Sequence, residues 1–257
     1  GLVVEARELL PFLKKKTTLF LGPFYQFGVS PLIAIMLGNL LKLEGPVLQG
    51  FLLLSMTPCG SMPNSLTIVA KGNKELSVAM TIVNSILGLV LIPILAEVYL
   101  KNEGEITLPF LNMFGNLVVL VLCILGGMFI KVKKNTWTHY LKKIMTFILC
   151  LSILGILIFS GKKIIILFYK ASFEIIFASI ALPLILYVIS FFISIYLRQS
   201  KSDAKALALG SGTFNSPLTI VLILGSYPLS VSWGVLKIPL LYTPIILPLG
   251  ALTAFAL

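Results

Sequence analysis

Long apolar segments separated by short polar loops dominate this chain, and they constrain its fold more than any other feature. Eight can be drawn, over residues 18–41, 46–70, 76–100, 110–130, 139–161, 173–197, 204–225 and 231–256. Each is close to the length of about 20 residues that a helix needs to cross a bilayer. Only 11% of the residues are charged, whereas soluble domains carry roughly 25%. No segment has the alternating pattern of a membrane β-barrel. The sequence therefore predicts an all-α polytopic membrane protein.

A short motif occurs twice, each time after a cluster of Gly, Ser, Thr or Pro inside an apolar segment. The first copy reads Asn64-Ser65-Leu66-Thr67-Ile68-Val69. The second copy, 151 residues later, reads Asn215-Ser216-Pro217-Leu218-Thr219-Ile220-Val221. Apolar spans that are interrupted at corresponding places in two halves indicate the binding site of a secondary transporter. The simpler alternative is two unrelated membrane helices, which tolerate Gly and Pro.

The positions of the two copies predict the domain organisation. They fall in the second and seventh segments, and an odd number of helices per repeat inverts the second copy relative to the first. We therefore expect an inverted repeat of five helices per half with two broken crossing helices, and the first two helices missing from this chain. The expected divisions are the C-terminal part of the first repeat (1–100), a linker (101–109) and the second repeat (110–257).

The breaks carry the candidate site, because backbone groups left unpaired in hydrocarbon must face protein, water or a ligand. We expect Pro58, Gly60 and Pro63 to interrupt the first helix, and Gly210, Gly212 and Pro217 to interrupt the second. The predicted substrate and crossover region comprises Pro58, Gly60, Pro63, Gly210, Gly212, Phe214, Asn215, Ser216 and Pro217. A functional role is favoured for Asn64 and Asn215, whereas Thr67 and Thr219 are explained at least as well by helix–helix hydrogen bonding.

The basic residues predict topology rather than a nucleic-acid partner. The formal net charge is +11, but fourteen Lys and Arg residues fall in one set of alternate loops and five in the other. Basic residues accumulate on the cytoplasmic side, so residues 1–17 and the C-terminus are predicted to be cytoplasmic. The loop with Lys162, Lys163 and Lys170 fits this pattern poorly. We expect contact with a lipid bilayer, and the plasma membrane is favoured over an organelle.

The sequence does not favour an enzyme. No phosphate-binding glycine loop, nucleophile elbow or zinc-protease helix is present. His139 has no Cys or carboxylate at ligand spacing, so a metal site is not expected. The three cysteines lie in apolar segments and do not suggest a disulfide framework. We expect no cofactor, with sodium as the one doubtful exception.

Three stretches resemble the fourth and fifth helices of the bile acid:sodium symporter family. They are Thr57-Pro58-Cys59-Gly60-Ser61-Met62-Pro63-Asn64, Ala70-Lys71-Gly72-Asn73 and Leu76-Ser77-Val78-Ala79-Met80-Thr81. Gln26-Phe27 with Pro31-Leu32 resembles the third helix of the family, and residues 210–228 resemble its ninth. Among the branches of the family, the vertebrate orphan members are the most similar.

The resemblance implies ten helices in a panel domain and a core domain, with helices four and nine crossing. It implies cotransport of a small organic anion, such as a bile acid or steroid sulfate, with two sodium ions. The positions that match sodium ligands are Asn64, Ser77 and Thr81 for one site and Gln26 for the other. Asn215 matches the Asn of the ninth-helix motif.

The departures from the family pattern weaken the expected sodium coupling. Pro63 occupies the position of a Ser in the family pattern, and Phe214 that of a Gln. Gly210 occupies the position of the Glu that both sodium sites share. We therefore expect a secondary-active transporter of an organic anion whose sodium coupling is weakened or lost. The alternative is a non-transporting membrane protein that acts as a binding or regulatory subunit on the same scaffold. An intramembrane enzyme is the least favoured hypothesis, and the oligomeric state is left open.

Overall fold

The computed structural model describes residues 16–100 and 169–257, together with the isolated positions 115, 118, 119, 122, 144 and 165–167. Every regular element in these ranges is helical, and five helices there are long and apolar enough to cross a membrane. The described part is therefore all-α, as predicted. The expected spans 110–130 and 139–161 lie largely outside the described residues, and the linker 101–109 lies wholly outside them.

The first half contributes one continuous span, one broken helix and one long helix. The continuous span, Thr18–Leu40, comprises α1 (Lys16–Pro23), a π-helical turn (Phe24–Val29) and α2 (Ser30–Leu40). The broken helix consists of α3 (Gly45–Met56) and α4 (Met62–Val69), and α5 (Lys74–Leu100) follows it. The π-helical turn follows Pro23, which lacks the N–H group that an α-helix needs for its hydrogen bonds.

The second half repeats this order of elements. It contains α6 (Phe173–Tyr196), the broken helix α7 (Lys201–Gly212) and α8 (Ser216–Ser226), and finally α9 (Leu229–Ala256). The ends of the described helices lie close to the predicted spans. The largest difference at a helix start is at α7, which begins at Lys201 rather than at the predicted residue 204. The helix starts earlier because Ser200 caps it, accepting a hydrogen bond from the Asp203 N–H at 3.1 Å.

Both predicted breaks are present, but two of the glycines lie inside a helix. The chain is non-helical over 57–61 and 213–215. Gly210 and Gly212 belong to α7, so the expectation that they interrupt the helix does not hold. Gly212 instead permits close packing, since a Cβ there would lie 2.6 Å from the Tyr187 ring and 2.8 Å from the Pro183 carbonyl oxygen.

Pro63 and Pro217 occupy the same position in the first turn of a helix. Pro63 is the second residue of α4, and Pro217 is the second residue of α8. An N–H in the first turn of a helix has no intrahelical partner, so proline loses nothing there. Both prolines therefore start the second segment of a broken helix and do not themselves interrupt it.

Contacts between loops identify which helix ends lie together. Thr18 Oγ1 donates to Gln199 Oε1 at 2.6 Å, and the Asn73 N–H donates to the Ser202 carbonyl at 3.0 Å. The starts of α1, α5 and α7 and the end of α4 thus lie at one end of the molecule, which we call the basic end because it carries Lys71, Lys74, Arg198, Lys201 and Lys205.

The other end, called the opposite end below, contains the loop before α3 and the start of α6. Residues Leu41–Glu44, Val47, Ser172, Glu174 and Ile175 line a cavity of about 370 Å³ there. The start of α9 lies at this end too, because a Cβ at Gly234 would be 2.7 Å from Pro46 Cβ. Between the two ends, α7 is largely buried, and its Ala204, Ala206, Leu207, Ala208 and Leu209 are all 0% exposed.

Candidate ion and substrate site

Three of the predicted sodium ligands are brought together at the first break. Asn64 Oδ1 accepts hydrogen bonds from Ser77 Oγ at 2.7 Å and from Thr81 Oγ1 at 3.4 Å. Thr81 Oγ1 also lies 3.5 Å from the Gly60 carbonyl oxygen, and Thr67 Oγ1 donates to Ser77 Oγ at 3.3 Å. We call Asn64, Ser77, Thr81 and the Gly60 carbonyl the oxygen cluster. All its oxygens are neutral, and hard cations in proteins prefer oxygen ligands.

Local sequence explains why the oxygen cluster forms. Ser77 and Thr81 are four residues apart on α5 and therefore share one helix face. The turn between α4 and α5 folds back at Lys71, which adopts the left-handed backbone conformation with φ 54°. Asn73 then caps α5, since its Oδ1 accepts a hydrogen bond from the Leu76 N–H at 3.0 Å. Asn64 on α4 is thereby placed against the polar face of α5.

Gln26, the predicted ligand of the second ion site, lies beside the same break. Its side chain is 0% exposed, and Nε2 donates to the carbonyl oxygens of Ser55 at 3.1 Å and Thr57 at 2.9 Å. These carbonyls lie where α3 ends and helical hydrogen bonding stops. The Gln26 Oε1 atom is buried and has no hydrogen-bond partner among the described residues. A buried carbonyl oxygen without a donor is suited to a cation or a water molecule.

Two tyrosines that no sequence motif marks supply hydrogen bonds to the second break. Tyr242 Oη accepts a hydrogen bond from the Phe214 N–H at 2.8 Å and donates to the Gly212 carbonyl at 3.2 Å. Tyr187 Oη pairs with Thr213 Oγ1 at 2.9 Å. Both tyrosines are buried in mid-span. Their sequence signal is a phenol hydroxyl inside an apolar helix, because a buried hydroxyl needs a hydrogen-bond partner.

The two breaks contact each other, which brings the predicted crossover residues into one region. Thr57 Oγ1 and Thr219 Oγ1 are 2.6 Å apart, and a Cβ at Gly60 would lie 3.4 Å from Asn215 Nδ2. Asn215 caps α8, since its Oδ1 accepts a hydrogen bond from the Leu218 N–H at 3.2 Å. The repeated Asn thus begins α8, whereas Asn64 is the third residue of α4 and contributes to the oxygen cluster.

The positions at which the chain departs from the family pattern have apolar surroundings. A Cβ at Gly210 would lie 3.0 Å from the terminal methyl carbon of Met80. Phe214 is 3% exposed, and its ring centroid lies 5.7 Å from that of Tyr242. Pro63 is buried in the first turn of α4. Hydrocarbon therefore occupies the space that a carboxylate and an amide would need.

Acidic residues in the described ranges lie away from the breaks. They are found at helix ends or in loops, as Glu44, Glu75, Glu97, Glu174 and Asp203. The same ranges contain no group of three or more His, Cys, Asp or Glu residues that could hold a metal ion. Any cation at the oxygen cluster or at Gln26 would depend on neutral oxygens of these residues.

Long apolar helices, two of them broken where polar oxygens converge, define an integral, multi-pass membrane protein. The profile of the Sodium Bile acid symporter family matches residues 1–178, which is more than half of the chain. The chain belongs to this family, as the motifs around Asn64 predicted. Because the family comprises symporters rather than enzymes, the prediction that the chain is not an enzyme is confirmed.

Curated relatives match almost the whole chain at low identity. The rat hepatic sodium/bile acid cotransporter is 24% identical over 250 residues, covering 94% of this chain and 68% of the relative. The human sodium-dependent organic anion transporter is 22% identical, with coverage of 94% and 65%. The rabbit ileal sodium/bile acid cotransporter is 26% identical over 257 residues, with coverage of 95% and 71%. The chain spans about two thirds of the length of these proteins.

Proposed function

We propose that this chain forms most of a secondary-active transporter for an organic anion of the bile acid or steroid-conjugate class, with sodium coupling weakened or lost. The observation that carries the proposal is the oxygen cluster at the first break. The first break also contacts the second broken helix, where Thr57 bonds Thr219 and Gly60 lies beside Asn215. Helices broken at the binding site are the means by which secondary transporters expose backbone dipoles to ions and substrates. The names of the relatives supply the substrate class.

The repeated order of elements supports an inverted repeat with crossing broken helices. The continuous spans have 23 and 24 residues, the first segments of the broken helices have 12 each, and the final helices have 27 and 28. The loop contacts support opposite directions for the two broken helices. The first starts beside the opposite-end cavity and finishes at the basic end, and the second starts at the basic end.

The distribution of charge supports a cytoplasmic basic end. The exposed residues Lys71, Lys74, Arg198 and Lys201 lie there, whereas the opposite end carries Lys42 and Lys170 beside Glu44 and Glu174. Basic loops are retained in the cytoplasm, so the end of α9, and with it the C-terminus of this chain, would face the cytoplasm. We retain the plasma membrane as the expected location.

Weakened sodium coupling is supported by the surroundings of Gly210. A buried cation without a carboxylate is stabilised only by neutral dipoles, which offset less of its dehydration cost in a medium of low dielectric constant. The oxygen cluster and the unpartnered Gln26 Oε1 fit a monovalent cation in chemistry and burial. The four oxygens of the cluster are fewer than the roughly five or six that such an ion prefers. We therefore infer that sodium binds weakly and contributes little driving force.

The loss of the shared carboxylate also favours a second candidate function. A scaffold that keeps its breaks but loses its ion coupling could serve as a non-transporting binding or regulatory subunit. Uptake measurements separate the two functions. The full-length protein, reconstituted in vesicles, should take up radiolabelled taurocholate or estrone sulfate faster than empty vesicles do. Replacing external sodium with choline should change the rate less than twofold, and an absence of uptake in both media would favour the regulatory function.

A further inference from the structure

Asn84 is a buried polar residue that no motif explains. It lies in the middle of α5, is 0% exposed, and neither Oδ1 nor Nδ2 has a hydrogen-bond partner in the part of the chain that the structure describes. Leaving a complete carboxamide unpaired in an apolar interior is costly. Buried polar groups are otherwise almost always satisfied, so the side chain requires a partner that the described residues do not supply.

The position of Asn84 on α5 places it against the first break. Ser77, Thr81, Asn84 and Gly88 follow the spacing of one helix face. Thr81 lies 3.5 Å from the Gly60 carbonyl oxygen, and a Cβ at Gly88 would lie 3.3 Å from Pro58. Asn84 lies between these two contacts and therefore faces the non-helical residues 58–60.

The same level of the molecule contains the other unpartnered carbonyl oxygen beside this break. A Cβ at Gly22 would lie 2.9 Å from the terminal methyl carbon of Met80, so α1 and α5 touch at that point. Both helices start at the basic end and run in the same direction. Gln26 lies four residues after Gly22, and Asn84 lies four residues after Met80, which is about one helical turn in each case. Two carboxamide oxygens without donors thus come to the same depth on adjacent helices.

We propose that Asn84 Oδ1 and Gln26 Oε1 are ligands of one monovalent cation, held against the first break beside the oxygen cluster. This inference deepens the proposed function and rests on it in one respect, namely that the chain still binds sodium weakly. Asn84 would contribute from α5 a neutral oxygen at a site where the carboxylate expected at position 210 is absent. Weak affinity follows, because an amide oxygen offsets the charge of the ion less than a carboxylate does.

Ion-dependent thermal stability of the purified full-length protein tests this directly. Sodium chloride should raise the unfolding midpoint relative to choline chloride, because an ion that binds only the folded state stabilises it. Asn84→Leu should weaken the apparent sodium affinity at least about tenfold, and Asn84→Asp should strengthen it by a similar factor. Asn84→Ser, a smaller change, provides a second loss-of-ligand variant if Asn84→Leu fails to fold.

Gln49 offers a matched control on another helix. It is also 0% exposed with both polar side-chain atoms unpaired among the described residues, but it lies in the second turn of α3, nearer the opposite end. Gln49→Leu should leave the sodium response unchanged. The proposal is overturned if the unmodified protein shows no sodium-specific stabilisation, or if Asn84→Leu retains all of it, as a site holding only water would.

Organic-anion uptake separates this inference from the proposed function. Loss of the sodium response in Asn84→Leu, in a protein that transports no organic anion, would support the cation site and contradict transport. Uptake that proceeds in a protein without any sodium-dependent stabilisation would support transport and contradict the cation site.

Discussion

Thr57 and Thr219 join the two helix breaks through a buried hydrogen bond of 2.6 Å between their hydroxyl groups. Thr57 Oγ1 can also donate to the Leu54 carbonyl at 2.7 Å, and Thr219 Oγ1 to the Asn215 carbonyl at 3.1 Å. One hydroxyl donates its hydrogen to the other, and the accepting hydroxyl keeps its bond to a carbonyl of its own broken helix. The pair couples the end of α3 to the start of α8, and with them the two halves of the molecule.

Replacing Thr57 and Thr219 with Val, singly and together, should reveal this coupling. Each single change should cost about 0.5–1.5 kcal/mol of stability, and the double change should cost less than the sum, because either change already breaks the bond. Denaturant unfolding in detergent measures the effect. Thr253→Val is the control, since Thr253 Oγ1 bonds only to Leu249 on its own helix. Strict additivity of the two changes would contradict the coupling.

Tyr242→Phe should destabilise the protein more than Tyr187→Phe. Tyr242 Oη serves the Phe214 N–H and the Gly212 carbonyl, and both lose their partner in the variant. Two unpaired backbone groups in a dry interior should cost about 1–3 kcal/mol each before relaxation. Among the described residues, Tyr187 Oη pairs only with the Thr213 side chain. Thermal midpoints of the two variants provide the comparison, and equal midpoints would argue against this role for Tyr242.

Gly212→Ala should be far more harmful than Gly210→Ala, although both residues lie in α7. At Gly212 the added methyl group meets the Tyr187 ring and the Pro183 carbonyl, neither of which can move aside easily. We expect a cost of about 1–3 kcal/mol from this overpacking. At Gly210 it meets only the flexible end of Met80. Expression yield and thermal midpoint should rank the variants in that order, and the reverse order would contradict the packing described above.

Combining Gly210→Glu with Phe214→Gln and Pro63→Ser should raise sodium affinity. The carboxylate would add the negative charge that the neutral site lacks, and the end of Met80 would have to move to admit it. The sodium concentration that half-saturates thermal stabilisation should fall by about tenfold or more. The same triple variant with Gln at position 210 supplies the size without the charge, and an equal gain in that control would refute the electrostatic explanation.

Cysteines introduced at Lys42 and Lys201 should react from opposite sides of the membrane. Both side chains are exposed, and they lie at the opposite end and the basic end respectively. An impermeant maleimide added outside cells should label Lys42→Cys, whereas Lys201→Cys should require permeabilisation. Cysteines at Asn102, in the linker, and at Asn135, between the spans 110–130 and 139–161, test the same topology. Labelling of both positions from the same side would exclude it.

The membrane class, the places of the helix breaks and the family could all be predicted from residue order alone. Apolar length predicts spans because a bilayer sets their minimum, and mid-span Pro and Gly predict breaks because they weaken helical hydrogen bonding. The motif around Asn64 also identified Ser77 and Thr81. Residues four apart on a helix lie on the same face, so their proximity could be predicted without tertiary information.

Which groups satisfy the breaks, and which remain unpaired among the described residues, depends on the packing of distant helices. Thr57 and Thr219 are 162 positions apart, and Tyr242 is 28 positions from Phe214. Hydrophobic periodicity indicates which face of a helix is buried, but the partner of a buried polar group depends on how distant helices pack. For the same reason no sequence motif identifies Asn84. Its unpaired carboxamide becomes evident only when α5 is packed against the first break.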